Sequence, residues 1–190
     1  MSKNVKLLII SGPSGVGKGT VINKLLEDLN SIQLAVSATT RKQRINEKDN
    51  FDYYFYSKKK FNELIDEGAF LEHCNVHGNK YGTLRTEVTK INNNNKICLL
   101  EIDTQGAKKI KKNLADTKMI FLKPPSINSL KERLHKRGTD SSNNIEHRLK
   151  NAEDEINEIS HYDFVIINDN IGDTVKKIRD FIDKTFMMRC

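Results

Sequence analysis

Gly12-Pro13-Ser14-Gly15-Val16-Gly17-Lys18-Gly19-Thr20 is the stretch that decides the fold. The apolar run Val5–Ile10 precedes it and reads as a buried strand, and Val21, Ile22, Leu25, Leu26 and Leu29 follow it at helical spacing. A glycine-rich loop between a strand and a helix turns several backbone N–H groups inward as an anion-binding nest. Lys18 adds a cation that reaches the outer phosphates of a ligand. Glycine serves where φ turns positive or where the backbone must come close to the ligand. The pattern G-x-x-x-x-G-K-[ST] has a hydroxyl straight after the lysine, to ligate Mg²⁺. Here Gly19 holds that place and Thr20 follows. The loop therefore predicts a phosphate cradle whose metal is held mainly through water and the ligand's phosphates.

Outward from the loop, 190 residues allow one α/β domain with insertions, and 37% hydrophobic against 30% charged residues gives a packed core under a heavily charged surface. The net charge of +7 favours acidic partners, and nucleotides satisfy that as well as nucleic acid does. The lysines are scattered without a long basic tail, so a solvated surface is expected and no nucleic-acid partner. Cys74, Cys98 and Cys190 are odd in number and lack C-x-x-C spacing, which predicts free thiols in a reducing compartment. The N-terminus shows no signal-like apolar region and no run is long enough to span a bilayer. The expectation is a cytoplasmic chain with no membrane partner. Asn92–Asn95 reads as a surface turn.

Short apolar runs alternate with helical patterns. Gln33–Val36, Ile97–Ile102, Met119–Leu122 and Phe164–Ile167 read as strands. Helical periodicity appears at Ile127, Leu130 and Leu134, at Ile145, Leu149, Ala152, Ile156 and Ile159, and over Val175–Phe186. The alternation predicts a parallel sheet covered on both faces. Pro124-Pro125 ends one strand, and Ser126 can cap the next helix. Two segments interrupt the alternation. Residues 37–90 carry Tyr53-Tyr54-Phe55-Tyr56, a short helical pattern and the strand-like Phe70–Val76, a small β-rich insertion. Residues 128–157 read as a charged helical hairpin turning at Gly138–Asn144.

The first insertion holds most of the remaining chemistry. Arg41 and Arg44 follow Ser37-Ala38-Thr39-Thr40, and two guanidiniums three residues apart can face one anion, although taken alone such a pair is more often solvated surface. Tyr53 and Tyr81 can supply further donors, or be core or edge aromatics. If Phe70–Val76 is a strand, Phe70, Glu72, Cys74 and Val76 share one face. A carboxylate on an apolar face demands a partner. Guanine offers two adjacent N–H groups that a carboxylate accepts together, whereas adenine presents no such pair; the plainer alternative is an edge strand with Glu72 in water.

Asp103 follows the strand Ile97–Ile102, where a carboxylate beside a phosphate loop suits water-mediated Mg²⁺ binding, with Glu101 two residues earlier on the same face. Asp103-Thr104-Gln105-Gly106 also fits the D-x-x-G pattern of GTPases, but no N-K-x-D segment accompanies it. Arg133 and Arg137 lie four apart on one helix face, with Arg148 on the next helix. Such arginines can stabilise a phosphoryl group in transfer and help exclude water, or be a solvated basic face.

Together these segments resemble the guanylate kinase family nearly end to end. The resemblance runs through Ser11–Lys18, Val36–Arg44, Asp52-Tyr53, Phe70-Leu71-Glu72, Gly78–Thr83, Leu100–Gly106, Pro124-Pro125-Ser126, Arg137-Gly138-Thr139 and Asn168-Asp169. It implies a three-layer P-loop kinase core with a parallel sheet (residues 1–36, 91–127 and 158–190), a small β-rich GMP-binding insertion (37–90) and a helical lid (128–157). It implies transfer of the ATP γ-phosphoryl group to GMP, and to dGMP, with Mg²⁺ as cofactor, in a monomer or weak homodimer. ATP would be held by Ser14, Gly15, Val16, Gly17, Lys18, Gly19, Thr20, Arg133, Arg137 and Asn168. GMP would be held by Ser37, Arg41, Arg44, Tyr53, Glu72, Tyr81, Thr83 and Asp103. Lys18, Arg41, Arg137 and Arg148 would act on the transferring group, with Arg133, Arg137 and Arg148 closing over it. No residue is assigned as a direct metal ligand, with Asp103 reaching the metal through water. Glu101 stands where the family usually has aspartate, and Lys80 where many members have a second tyrosine. The alternative is a catalytically inactive guanylate-kinase-like module that binds protein partners.

Overall fold

The computed structural model describes residues 5–76, 78–137 and 142–187. In chain order they form β1 (Leu7–Ser11), α1 (Lys18–Asp28), β2 (Ile32–Leu34), β3 (Ser37–Thr39), β4 (Tyr53–Phe55), α2 (Lys58–Asp66), β5 (Phe70–Val76), β6 (Asn79–Leu84), α3 (Arg85–Asn93), β7 (Ile97–Glu101), α4 (Thr104–Asn113), β8 (Lys118–Lys123), α5 (Ile127–Arg137), α6 (Ser142–Ile156), β9 (Phe164–Ile167) and α7 (Ile171–Ile182). Two sheets result: a five-stranded parallel sheet in the order β2-β7-β1-β8-β9, and a four-stranded one in the order β4-β3-β6-β5. By compactness the chain divides into two units. One gathers the described residues of Met1–Leu7, Ser31–Leu100 and Gln105–Thr117; the other gathers those of Leu8–Asn30, Glu101–Thr104 and Lys118–Cys190.

In the second unit β1 pairs with β8 and β8 with β9, all parallel. Leu8, Ile9, Ile10 and Met119–Leu122 are fully buried, as continuous apolar strands must be when both faces of a sheet are covered. Helix α7 packs on α1, and its Val175, Ile178 and Ile182 are buried. Ser126 accepts from the Ser129 N–H at 3.0 Å and caps α5, as the sequence predicts. The turn expected at residues 138–144 falls largely outside the described residues, between α5 and α6.

In the first unit β2 pairs with β7 in parallel, and the four-stranded sheet occupies the segment expected to be β-rich. Its register sorts the side chains by face. Ala38, Tyr54, Phe70 and Leu84 lie on one side, where Ala38, Phe70 and Leu84 join Phe61 of α2 in a small core and Tyr54 packs against it. Phe61 stacks on Phe70 with ring centroids 4.4 Å apart. The opposite side carries Ser37, Thr39, Tyr53, Phe55, Glu72, Tyr81 and Thr83. This corrects the expectation that Phe70 and Glu72 share a face. Phe70 pairs with Leu84 and Glu72 with Thr83, so β5 advances two residues where β6 advances one. The bulge at Leu71 flips the alternation. Helices α3 and α4 were not legible as helices. Each has few apolar residues, Val88 and Ile91 in one and Ala107 and Ile110 in the other, and only their burial reveals them.

Phe61→Ala removes the ring that organises the small core. It is expected to destabilise the chain by about 3–5 kcal/mol, read as a fall in the urea midpoint without a change in slope.

Candidate active site

Residues expected to carry function fall into two groups, one within each unit. In the second unit β1 delivers the chain into a turn that leaves no room for side chains. Gly12 adopts φ 150°, and a Cβ there would strike the carbonyl oxygen of Leu122. Gly17 adopts φ 99° and ψ 22° as the N-cap of α1. No side chain caps α1 and no acid occupies its first turn, so an anion is the group its N-terminus favours. Lys18 Nζ donates to the carbonyls of Gly12 at 2.6 Å and Pro13 at 3.3 Å, which folds the ammonium back over the loop. A Cβ at Gly19 would meet open space, and Thr20 is exposed.

Three side chains from distant segments converge on this loop. Asn168, buried at the end of β9, donates from Nδ2 to the carbonyl of Val16 at 2.8 Å. Arg133 of α5 donates from Nη1 to the same carbonyl and from Nη2 to the carbonyl of Asn168, both at 3.1 Å. Arg148 of α6 donates from Nη1 to Ser14 Oγ at 3.3 Å. Arg137 ends α5, and its side chain lies outside the described residues. Ser11 Oγ donates to the carbonyl of Ile102 at 2.8 Å, tying the start of the loop to the chain leading into Asp103. Strand β7 stops at Glu101, which is exposed, so Asp103 lies beyond the strand and the expected shared face with Glu101 does not extend to it.

Glu155 of α6 was not anticipated. Burial pushes its carboxyl up to about 7, against the pull of the Lys18 charge and with added repulsion from Asp103. Its Oε2 is buried with no hydrogen-bond partner. Protonation is thus easier in the folded chain, and ionising Glu155 weakens folding progressively as pH rises from its ordinary value near 4.5 to about 7. The sequence held one signal for it: an acid one turn on from Ala152, at the edge of an apolar stripe.

In the first unit the second group shares the polar face of the small sheet. Thr83 Oγ1 donates to Glu72 Oε1 at 2.9 Å, and both residues are buried. Tyr53 and Tyr81 meet edge to face at 6.2 Å, and Ser37 pairs with Tyr53 across β3 and β4. The Arg41 guanidinium lies over the rings of Tyr53 and Phe55, 5.2 and 5.6 Å from their centroids. Its fork is taken by Glu47, Nη1 to Oε2 and Nη2 to Oε1, each at 2.8 Å. The Arg44 N–H donates to the same Oε2 at 2.8 Å, while the Arg44 side chain is exposed. Glu47 therefore accepts from the two arginines expected to hold an anion, and sequence reasoning missed it. The only hint was an acid three residues after Arg44. The Arg41 guanidinium and the Arg44 N–H hold the Glu47 carboxyl down at about 2. Of metal-ligating clusters with three or more His, Cys, Asp or Glu, the described residues contain none.

The guanylate kinase family model matches residues 4–185. A guanylate kinase of Clostridium perfringens is 46% identical over 172 residues, covering 90% of this chain and 80% of the relative. One from Prochlorococcus marinus is 44% identical over 181 residues, covering 95% and 98%. The crystal structure of a guanylate kinase from Anaplasma phagocytophilum superimposes with a TM-score of 0.78 at 36% identity, over 99% of this chain and 90% of that one.

The Glu47 pair makes a pH-dependent contribution to stability. A carboxyl depressed on folding stabilises above its ordinary value near 4.5 and ceases to do so as pH falls through about 2. Glu47→Gln is expected to be less stable than the parent at pH 7 by on the order of 1 kcal/mol. The gap between their urea midpoints should close as the pH is lowered from 4.5 towards 2.

Proposed function

The chain belongs to the guanylate kinase family, and we propose that it transfers the γ-phosphoryl group of ATP to GMP, and to dGMP, releasing ADP and the nucleoside diphosphate. The observation that carries the choice of base is the buried Glu72 carboxylate held by Thr83, on the sheet face that also bears Ser37, Tyr53 and Tyr81. A buried acid needs partners, and guanine's N1–H and 2-amino group supply two together. Ser37 and Thr83 complete recognition of the base. Arg41, Arg44, Tyr53 and Tyr81 take the GMP phosphate, which competes with Glu47 for the Arg41 fork.

ATP's phosphates are received by the loop Ser14–Thr20 and Lys18, whose ammonium exchanges carbonyl oxygens for phosphate oxygens. An oxygen of the GMP phosphate attacks the γ-phosphorus in line. One P–O bond forms as the bond to the ADP oxygen breaks, and the negative charge passes to ADP. Arg137 and Arg148 offset charge on the moving group and help keep out water, which would otherwise accept it. Mg²⁺ fits this site as a hydrated ion. Asp103 supplies a nearby carboxylate, and the open space at Gly19 lacks the hydroxyl that would ligate directly. When bound it would neutralise phosphate charge. No described helix is long and apolar enough to cross a membrane. We read the enzyme as cytoplasmic, a monomer or weak homodimer, and the buried free thiol of Cys98 accords with a reducing compartment. A protein-binding module without catalysis would have no use for Lys18 or for arginines gathered on phosphate sites.

An ADP-release assay across GMP, dGMP, AMP, UMP and IMP tests the reading. GMP and dGMP should be used, IMP poorly because it lacks the 2-amino group, and AMP and UMP not at all. Lys18→Ala should lower kcat by about 100-fold or more with unchanged thermal stability, since its task is charge and not packing. Glu72→Gln should raise the KM for GMP by about 10–100-fold and leave the KM for ATP in place. Equal losses for both nucleotides would remove Glu72 from base recognition.

A further inference from the structure

We infer that Arg133 and Asn168 are positioning residues of the phosphate loop, acting through the carbonyl of Val16 and not by touching the transferred group. That carbonyl accepts from Asn168 Nδ2 at 2.8 Å and from Arg133 Nη1 at 3.1 Å, which engages both of its lone pairs. A trans peptide points its C=O and the next N–H in opposite directions, and no described bond is cis. Holding the Val16 oxygen against α5 and the end of β9 fixes the opposite direction for the Gly17 N–H, the amide at the mouth of α1. The same brace closes on itself. Arg133 Nη2 donates to the carbonyl of Asn168 at 3.1 Å, and the Asn168 N–H donates to the carbonyl of Lys123 at 2.8 Å. Thus an unbroken chain of polar groups joins β8, β9, α5 and the loop.

The packing leaves Arg133 little freedom to leave. Leu130 and Leu134, fully buried on either side of it in the sequence, press on Gly15; a Cβ there would lie 2.8 Å from Leu134 Cδ2 and 3.3 Å from Leu130 Cδ1. Asn168 is as tightly placed, since a Cβ on Gly17 would lie 2.9 Å from its Nδ2. The amide orientation follows from chemistry, because only the NH₂ end can face a carbonyl oxygen. A guanidinium spent on two backbone oxygens shapes the loop, and its charge reaches the ligand through the loop's geometry.

The proposal rests on the loop being the ATP site, and the experiment separates the two. Arg133→Lys, Arg133→Met and Asn168→Ala are made in the full chain, with ATP and GMP varied in turn. Lysine keeps the charge but lacks the planar fork whose two nitrogens reach the Val16 and Asn168 carbonyls separately. A brace therefore makes Arg133→Lys and Arg133→Met alike. In both, the KM for ATP rises about tenfold, kcat stays within about threefold and the KM for GMP is unchanged. Asn168→Ala should show the same split. A guanidinium acting directly on the transferred group gives the reverse: kcat falls by about 100-fold at constant KM for ATP, and lysine restores much of it. That result overturns the proposal. Amide exchange in the unliganded chain is independent of catalysis. The Val16 and Val21 amides, bonded to the carbonyls of Pro13 and Gly17, should exchange about tenfold faster in Arg133→Lys and Asn168→Ala, and unchanged exchange overturns the proposal equally. Faster exchange in the variants, with no ATP-dependent transfer by the parent, would leave the brace standing and remove the functional reading. Should Asn168→Ala fail to fold, Arg133→Lys, at a half-buried position, carries both measurements.

Discussion

Space at the turn between β1 and α1 is so short that a single added carbon cannot be accommodated. At residue 12 it would strike a backbone oxygen of β8, and at residue 17 the amide of Asn168. The close approach is what lets β8, β9 and α5 reach the loop at all. It brings the Val16 carbonyl within hydrogen-bond distance of Asn168 and Arg133 and lets Leu130 and Leu134 rest on Gly15. Anion binding by main-chain amides requires that those amides already point the right way, because reorienting them on binding would consume the gain. The glycines are therefore as much about packing from outside the loop as about conformational freedom within it.

The small sheet meets a different constraint. Its aromatic and aliphatic residues must cover α2, while acids and hydroxyls must gather where a ligand can reach them. A strand with strict alternation would have placed Glu72 on the side of Phe61 and Phe70. One extra residue at Leu71 reverses the pleat, so Phe70 stays with Leu84 and Glu72 joins Thr83. The Thr83 hydroxyl then offsets part of the desolvation of that carboxylate.

Cations in both groups are held by oxygens of the chain itself. Lys18 folds onto the carbonyls of Gly12 and Pro13, and Arg41 grips Glu47. Under the proposed function, phosphate binding is an exchange of oxygen partners, with a smaller net gain than a bare cation would give but less entropy to lose. Glu155 shows the opposite balance. Its buried oxygen lacks a hydrogen-bond partner, and the neighbouring Lys18 only partly offsets its burial.

The phosphate loop was legible because all of its chemistry lies in one continuous segment, flanked by an apolar run and a helical pattern that need no partner to be recognised. The strands were legible for the same reason: Phe164–Ile167 and the runs around Met119–Leu122 and Ile97–Leu100 are continuous apolar stretches, the latter two buried throughout and the first only at Ile166. The family resemblance was carried by motifs read residue by residue, from Ser11–Lys18 to Asn168-Asp169. Helices α3 and α4 and the ion pair of Arg41 with Glu47 left little trace in the sequence, since polar helices carry few apolar markers and an acid near two arginines is ordinary surface chemistry. Two features belonged to the tertiary structure only. A bulge depends on which strand pairs with β5 and in what register, and no local preference in Phe70–Val76 records that. The partners of the Val16 carbonyl come from positions 117 and 152 residues further along the chain. A hydrogen bond between a backbone oxygen and so distant a side chain has no sequence signature, because the oxygen is common to every residue and only folding brings its donor near.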